Sequence, residues 1–162
     1  FRADKRPHVA ILVSDDHYRA DTTLPAFAQT LRAAYGCHCT ILHGQGQADI
    51  PHTEELAAAD CLLLYVRRLA LPAAQIARLR RYLDAGGPLV ALRTASHAFA
   101  IRRQALPVGC VEWSEFDAEV LGGNYHGHAA NHLGSDVVCL PQAREHPLLR
   151  GVAPATWHSP FV

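Results

Sequence analysis

The stretch His8-Val9-Ala10-Ile11-Leu12-Val13-Ser14 runs through five apolar residues without a break. An amphipathic strand would alternate; a continuous run marks a strand covered on both faces, as in a parallel sheet flanked by helices. Working outward, Leu24, Phe27, Ala28, Leu31 and Ala34 recur at helical spacing, and Gly36 stands where a helix would be capped. Cys39-Thr40-Ile41-Leu42 reads as a second strand, Thr53-Glu54-Glu55 as the opening of a short helix, and Asp60-Cys61-Leu62-Leu63-Leu64-Tyr65 as a third strand. Pro72 starts a helix with Ile76, Leu79, Tyr82 and Leu83 on one stripe, stopped by Gly86-Gly87. Pro88-Leu89-Val90-Ala91-Leu92 is a fourth strand, a helix is expected around Glu115–Leu121, and Asp136-Val137-Val138-Cys139-Leu140 reads as a fifth strand. Strands alternating with amphipathic helices predict a doubly wound α/β fold: a three-layer sandwich with a sheet parallel in its centre and right-handed crossovers. No repeat, linker or low-complexity tract divides the chain, so residues 1–162 are expected to form a single domain.

Composition narrows the function. Fifteen basic residues balance fifteen acidic ones, which argues against a dedicated nucleic-acid binder. No apolar run approaches the roughly 18 residues of a membrane span. No signal-peptide pattern stands at the N-terminus, although a cleaved leader would leave no trace and secretion stays open. With no Met and Phe1 in first place, the chain reads as a mature or trimmed segment. The cysteines number five. Cys37-His38-Cys39 is too tight and isolated for a structural zinc site, and its two thiols are too close in an extended segment to bridge. Cys61 and Cys139 lie in apolar runs and read as small core hydrophobes. Free thiols are therefore expected, with no disulfide, and they favour a cytoplasmic setting.

In open parallel sheets ligands bind beyond the carboxyl ends of the strands, where the strand order reverses. For the order 2-1-3-4-5 that point lies between strands one and three. The residues there are Ser14-Asp15-Asp16-His17-Tyr18-Arg19 after strand one, Val66-Arg67-Arg68 after strand three and Arg93-Thr94-Ala95-Ser96-His97 after strand four. Arg93 sits at a sharp strand-to-helix elbow, the position that carries the nucleophile in several hydrolase families. A guanidinium is no nucleophile, but it can hold a carboxylate or a polarised oxygen through two bonds. The plainer reading pairs Arg93 with a local acid for structure alone. Thr94 is a conceivable nucleophile if a base is in reach. His97, in the first turn of the next helix, could be base, ligand or cap. A second concentration is His126-Gly127-His128-Ala129-Ala130-Asn131-His132. Its imidazoles His126, His128 and His132 could hold a divalent metal, with oxygen from Asp15 or Asp16, yet the spacing matches no established zinc motif, and hydrogen bonding is the default role. Tyr65, Trp113, Tyr125 and Trp157 could each stack on a sugar ring, though core packing is the commoner fate.

Several of these residues carry a resemblance. Pro88–Phe99, reading Pro-Leu-Val-Ala-Leu-Arg-Thr-Ala-Ser-His-Ala-Phe, resembles the elbow of ThuA-like (trehalose utilisation) proteins of the class I glutamine amidotransferase-like superfamily. It is most similar to the branch whose elbow reads Leu-Arg-Thr-Ala-Thr-His-Ala-Phe. Gly127-His128, following Leu121-Gly122-Gly123, looks like the family's Gly-His segment, and Glu145-His146-Pro147-Leu148-Leu149-Arg150-Gly151 like its His-Pro-x-x-Arg-Gly segment. The opening Val13–Asp21 fits the same branch. The resemblance implies a flavodoxin-like fold and a role in sugar metabolism. In a doubly wound sheet Arg93, His97 and His128 all project over the same carboxyl edge, so they are expected to share one pocket as the catalytic residues, Arg93 orienting an oxygen and one of the two histidines moving a proton. Asp15, Asp16, His17, Arg67 and Thr94 would bind the substrate, a small sugar-like molecule. Two departures stand out. No Cys occurs between Cys61 and Cys110, so glutamine hydrolysis by an elbow thiolate is not expected. After Arg150-Gly151 the chain reads Ala155-Thr156-Trp157-His158-Ser159-Pro160, without the Asp-Glu pair and Tyr that family members often carry. Two alternatives remain: a non-catalytic oligomerisation module of the same fold, as in some glycosidases, which would make the chain a homo-oligomer, and a metal-dependent hydrolase built on the His126/His128/His132 loop.

Overall fold

The computed structural model describes residues 6–15, 17–46, 48–130, 133–153 and 156–160. The chain forms two compact units, Phe1–Tyr125 and His126–Val162. In the first unit β1 (His8–Val13) leads through a turn at His17–Arg19 into helix α1 (Ala20–Tyr35), then β2 (His38–His43), a 3-10 turn at Thr53–Ala58 and β3 (Cys61–Tyr65). The two-residue β4 (Leu71–Pro72) precedes helix α2 (Ala73–Asp84); β5 (Leu89–Ala91) and the short β6 (Cys110–Val111) complete it, β6 pairing antiparallel with β4.

Four strands form one sheet in the order β2-β1-β3-β5, and every pairing in it is parallel. The fold is α/β with a parallel sheet, as the apolar runs predict. β5 is the expected fourth strand, ending beside Leu92, whose N–H donates to the Leu64 carbonyl at 3.0 Å. Side chains of β1 alternate between the two faces. Ala10 and Leu12 join Leu62, Leu64, the α2 residues Ile76, Leu79 and Tyr82, and the aromatic group Phe99, Trp113 and Phe116. Ile11 and Val13 join Leu63 and Tyr65 beneath Ala20, Leu24 and Ala28 of α1. Both faces are therefore covered, each buried Leu or Ile contributing about 1.5–3 kcal/mol.

α1 begins earlier and buries a narrower stripe than its spacing predicts: Ala20, Leu24 and Ala28 face the sheet, while Phe27 and Ala34 face outward. It ends on Gly36 at φ 66, the left-handed cap expected of that glycine. The helix expected around Glu115–Leu121 is one wide π-type turn, Asp117–Leu121, closed by Gly122. Beyond Arg93 the expected helix is a single 3-10 turn, Arg93–His97. The largest correction concerns the fifth strand. β7 (Ser135–Val138), in the second unit, pairs antiparallel with β8 (Thr156–Ser159), and its four residues are all exposed. Its apolar pair Val137-Val138 looked like core, but Asp136 beside them ties across to His158 at 2.9 Å and the ladder stands with its side chains in solvent. Cys139 accordingly lies past the end of an exposed strand, half-buried, instead of inside a core strand. All five cysteines are free thiols, Cys39 alone fully buried. Among the described residues no helix is long and apolar enough to cross a membrane.

The end of β1 depends on a close approach. Gly44 donates its N–H to the Val13 carbonyl at 2.8 Å, and a methyl group added there would fall on the Ser14 Cβ and 3.1 Å from its Cα. Gly44→Ala should therefore push the backbone at Ser14 and lower stability by about 1–3 kcal/mol, the usual cost of overpacking. Gly123→Ala, with nothing within 4 Å of the new methyl, should leave the denaturation midpoint unchanged.

Candidate functional site

Val13 and Tyr65 are register partners, so β1 and β3 end side by side, and Ser14 donates its N–H to the Tyr65 carbonyl at 3.1 Å. The polar residues that follow each strand are thereby brought together. Asp15, whose side chain is only 7% exposed, accepts through Oδ1 from the His17 backbone N–H at 3.0 Å and meets His17 Nδ1 at 2.5 Å. The Tyr65 hydroxyl donates to the His17 carbonyl at 2.8 Å, and burial, reinforced by the Asp15 charge, raises its pKa. Two buried oxygens here, Ser14 Oγ and Asp15 Oδ2, have no hydrogen-bond partner among the described residues. Arg67 Nε stands 3.7 Å from Asp15 Oδ2, close enough for charge attraction and too far for a hydrogen bond. A buried carboxylate oxygen left so is expensive, on the order of 1–3 kcal/mol.

The elbow is held from two sides. Leu92 is tied to β3, and Thr94, buried, donates its hydroxyl to the Val66 carbonyl at 3.2 Å. That bond commits the Thr94 proton to the end of β3. Between these anchors Arg93 adopts φ 43, and its guanidinium carbon lies 3.8 Å from the centre of the Tyr18 ring. Tyr18 stood in the stretch after strand one without being singled out. His97 closes the turn: its carbonyl accepts from the Arg68 N–H at 3.0 Å and its Nδ1 lies 3.1 Å from Ser96 Oγ. Its ring sits 4.6 Å from that of Tyr125, against which Arg102 also rests at 5.3 Å. Burial, followed by the charges of Arg68, Arg67 and Arg102, pulls the His97 pKa down to about 4, with Asp15 acting the other way. The imidazole is therefore neutral at physiological pH and holds a lone pair that can accept a hydrogen bond.

Backbone strain collects at the same edge. Among the described residues the non-glycine positions with left-handed φ are Tyr18, Arg19, His52, Arg68, Arg93 and Arg102. Tyr18, Arg19, Arg68 and Arg93 follow the ends of β1, β3 and β5, and Arg102 lies against Tyr125. Such conformations cost about 1–3 kcal/mol each and gather where function requires them.

The structure thus brings together Asp15, His17, Arg67, Thr94 and His97 at one sheet edge, with Arg93 on Tyr18. Asp16 and His132 lie outside the described residues. His126 and His128 belong to the second unit; both are exposed, and His128 Nδ1 meets the Ala129 carbonyl at 2.8 Å. Among the described residues no group of three or more His, Cys, Asp or Glu side chains is arranged to hold a metal ion. Of the scattered aromatics, Trp113 is core, Tyr65 is core with its hydroxyl bonded at the site, Trp157 is exposed on β8, and Tyr125 packs against His97. Ser14 and Arg68 stood in the strand-end stretches without being singled out; Arg102 had no local signal at all. Comparison with family models, with curated proteins and with solved structures finds no match to this chain.

At position 93 the left-handed backbone should invert the usual ranking of small residues. Arg93→Gly is expected to be more stable than Arg93→Ala by about 0.5–1 kcal/mol, as read by urea denaturation. A second expectation concerns pH. The folded-state pKa of His97 lies below the ordinary value near 6.5, so the unfolded chain binds a proton that the folded one refuses. Stability is full above about 6.5 and falls as pH drops toward 4. His97→Gln should lose less stability between pH 7 and 4.5 than the parent protein does.

Proposed function

We propose that this chain is a ThuA-like domain of flavodoxin-like, class I glutamine amidotransferase-like architecture that binds and acts on a carbohydrate or related small polar molecule, without a cysteine nucleophile. The observation that carries the reading is the elbow. Arg93 occupies the left-handed position beyond the last strand of the parallel sheet, with neutral His97 four residues on and Asp15 at the end of β1. The strand order β2-β1-β3-β5 supports it as the beginning of the doubly wound order 2-1-3-4-5. Cys61 opens β3, at the opposite end of that strand from the site.

In this reading Arg93, exposed and stacked on an exposed tyrosine, swings onto a ligand oxygen and orients it. His97, neutral and partly accessible, accepts a hydrogen bond from a sugar hydroxyl through a ring nitrogen. Asp15 fixes a neighbouring hydroxyl through a carboxylate oxygen that has no hydrogen-bond donor among the described residues. Calorimetric titration with glucose, trehalose and related sugars tests this. Arg93→Ala should weaken binding at least tenfold, a loss of about 1.5–3 kcal/mol for one charged hydrogen bond. Its melting temperature should barely move, because the cation–π contact it gives up is worth about 0.5–1 kcal/mol at an exposed site. Unchanged affinity together with a large fall in melting temperature would assign Arg93 to structure and overturn the reading.

A further inference from the structure

We propose that the ligand of this site is an anionic sugar, its carboxylate or phosphate held by Arg67, Arg68 and Arg102 and one of its hydroxyls by Asp15. The proposal rests on the carbohydrate reading above and adds the ligand's charge and the residues that read it.

Three arginines lie on the segments that hold one imidazole. The Arg68 backbone N–H is bonded to the His97 carbonyl at 3.0 Å, and Arg102 and His97 flank the same Tyr125 ring at 5.3 and 4.6 Å. Arg67, one residue before Arg68, stands 3.7 Å from Asp15. The charges acting on His97 are those of Arg68, Arg67, Arg102 and Asp15, three cations against one anion. Arg68 is itself pushed below its ordinary pKa by burial and then by the charges of Arg102 and Arg67. Converging like charges raise the energy of the empty site, and Arg68 and Arg102 hold their places in left-handed backbone, φ 52 and 58. An arginine cluster of this kind is matched by a carboxylate or phosphate, whose oxygens accept paired N–H bonds from the planar guanidinium.

Charge alone would admit any small anion. Asp15 narrows the class. One of its oxygens is committed to His17, while Oδ2, buried as Ser14 Oγ is, has no hydrogen-bond donor among the described residues. A simple carboxylate carries no hydroxyl to offer it; a sugar hydroxyl does. Arg67, with 36% of its side chain exposed, covers Oδ2 without bonding it. Turning the guanidinium toward a ligand anion opens Oδ2 to a ligand hydroxyl, so that one molecule satisfies both halves of the strained pair. The ligand must then carry a hydroxyl donor and an anionic group a few ångströms apart, as sugar acids and sugar phosphates do.

Calorimetric titration of the whole chain with glucuronate, glucose 6-phosphate, glucose and inorganic phosphate decides the matter. One charged sugar should bind at least tenfold tighter than both glucose and inorganic phosphate, and which one it is tells a carboxylate site from a phosphate site. That preference should shrink as salt is raised. Arg67→Gln and Arg102→Gln should each bring the charged sugar toward parity with glucose, and Arg67→Lys should keep part of the preference, with circular dichroism confirming that each variant folds. Asp15→Asn should weaken both classes of sugar and leave inorganic phosphate alone. Glucose binding as tightly as both charged sugars would overturn the anion assignment while the carbohydrate reading stands. Inorganic phosphate binding as tightly as glucose 6-phosphate would overturn the sugar requirement. Failure of all four to bind would overturn this proposal and the carbohydrate reading together.

Discussion

β1 is hydrogen-bonded along both edges and covered on both faces, and the site follows from that enclosure. Ala10, Ile11 and Leu12 are wholly shielded from solvent, so a slip of one residue would exchange the two core faces of the strand. With Val13 in register with Tyr65, Ser14 and Asp15 emerge beside Val66 and Arg67. The buried oxygens of Ser14 and Asp15, the Tyr65 hydroxyl bond and the neighbouring Arg67 are all consequences of that one register.

The same edge concentrates what a structure optimised for stability alone would avoid: left-handed arginines, positive charges acting on one another and a carboxylate oxygen without a donor among the described residues. Each is tolerated because the surrounding frame is rigid. The elbow is fastened to β3 through Leu92 and Thr94, and the next segment through the Arg68–His97 and Leu69–Ala98 backbone bonds, the latter 2.7 Å long. Behind it Ala98 and Phe99 are fully buried, Phe99 against Trp113 and Phe116. Strain at the rim is over-determined by the packing beneath it, which keeps the polar groups aimed.

Legibility of the chain tracked burial. His8–Ser14 and Asp60–Tyr65 declared themselves as strands, since burial on both faces leaves continuous apolar runs; Pro88–Leu92 is a continuous run as well, although its strand closes the order β2-β1-β3-β5 and leaves Val90 48% exposed. Asp136–Leu140 misled for the same reason: Val137 and Val138 are apolar, but their partner is the distant Thr156–Ser159, and no local pattern announces a pairing or the solvent around it. Arg93 was conspicuous as a charged residue straight after an apolar strand. Tyr18 was not, because an exposed tyrosine in a turn carries no mark of the guanidinium that will lie over it.

The sequence by itself determined the α/β class, the strands that form the parallel sheet and the polar stretches at their carboxyl ends, because periodicity and continuous burial are properties of neighbouring residues. Tertiary structure alone decided which of those polar groups share a site. The action of the Arg67, Arg68 and Arg102 charges on His97, the Asp15 oxygen without a donor among the described residues, and the neutrality of His97 depend on register and burial among segments far apart in the chain. Charge and desolvation act through space, and no local stretch of sequence records the distances over which they act.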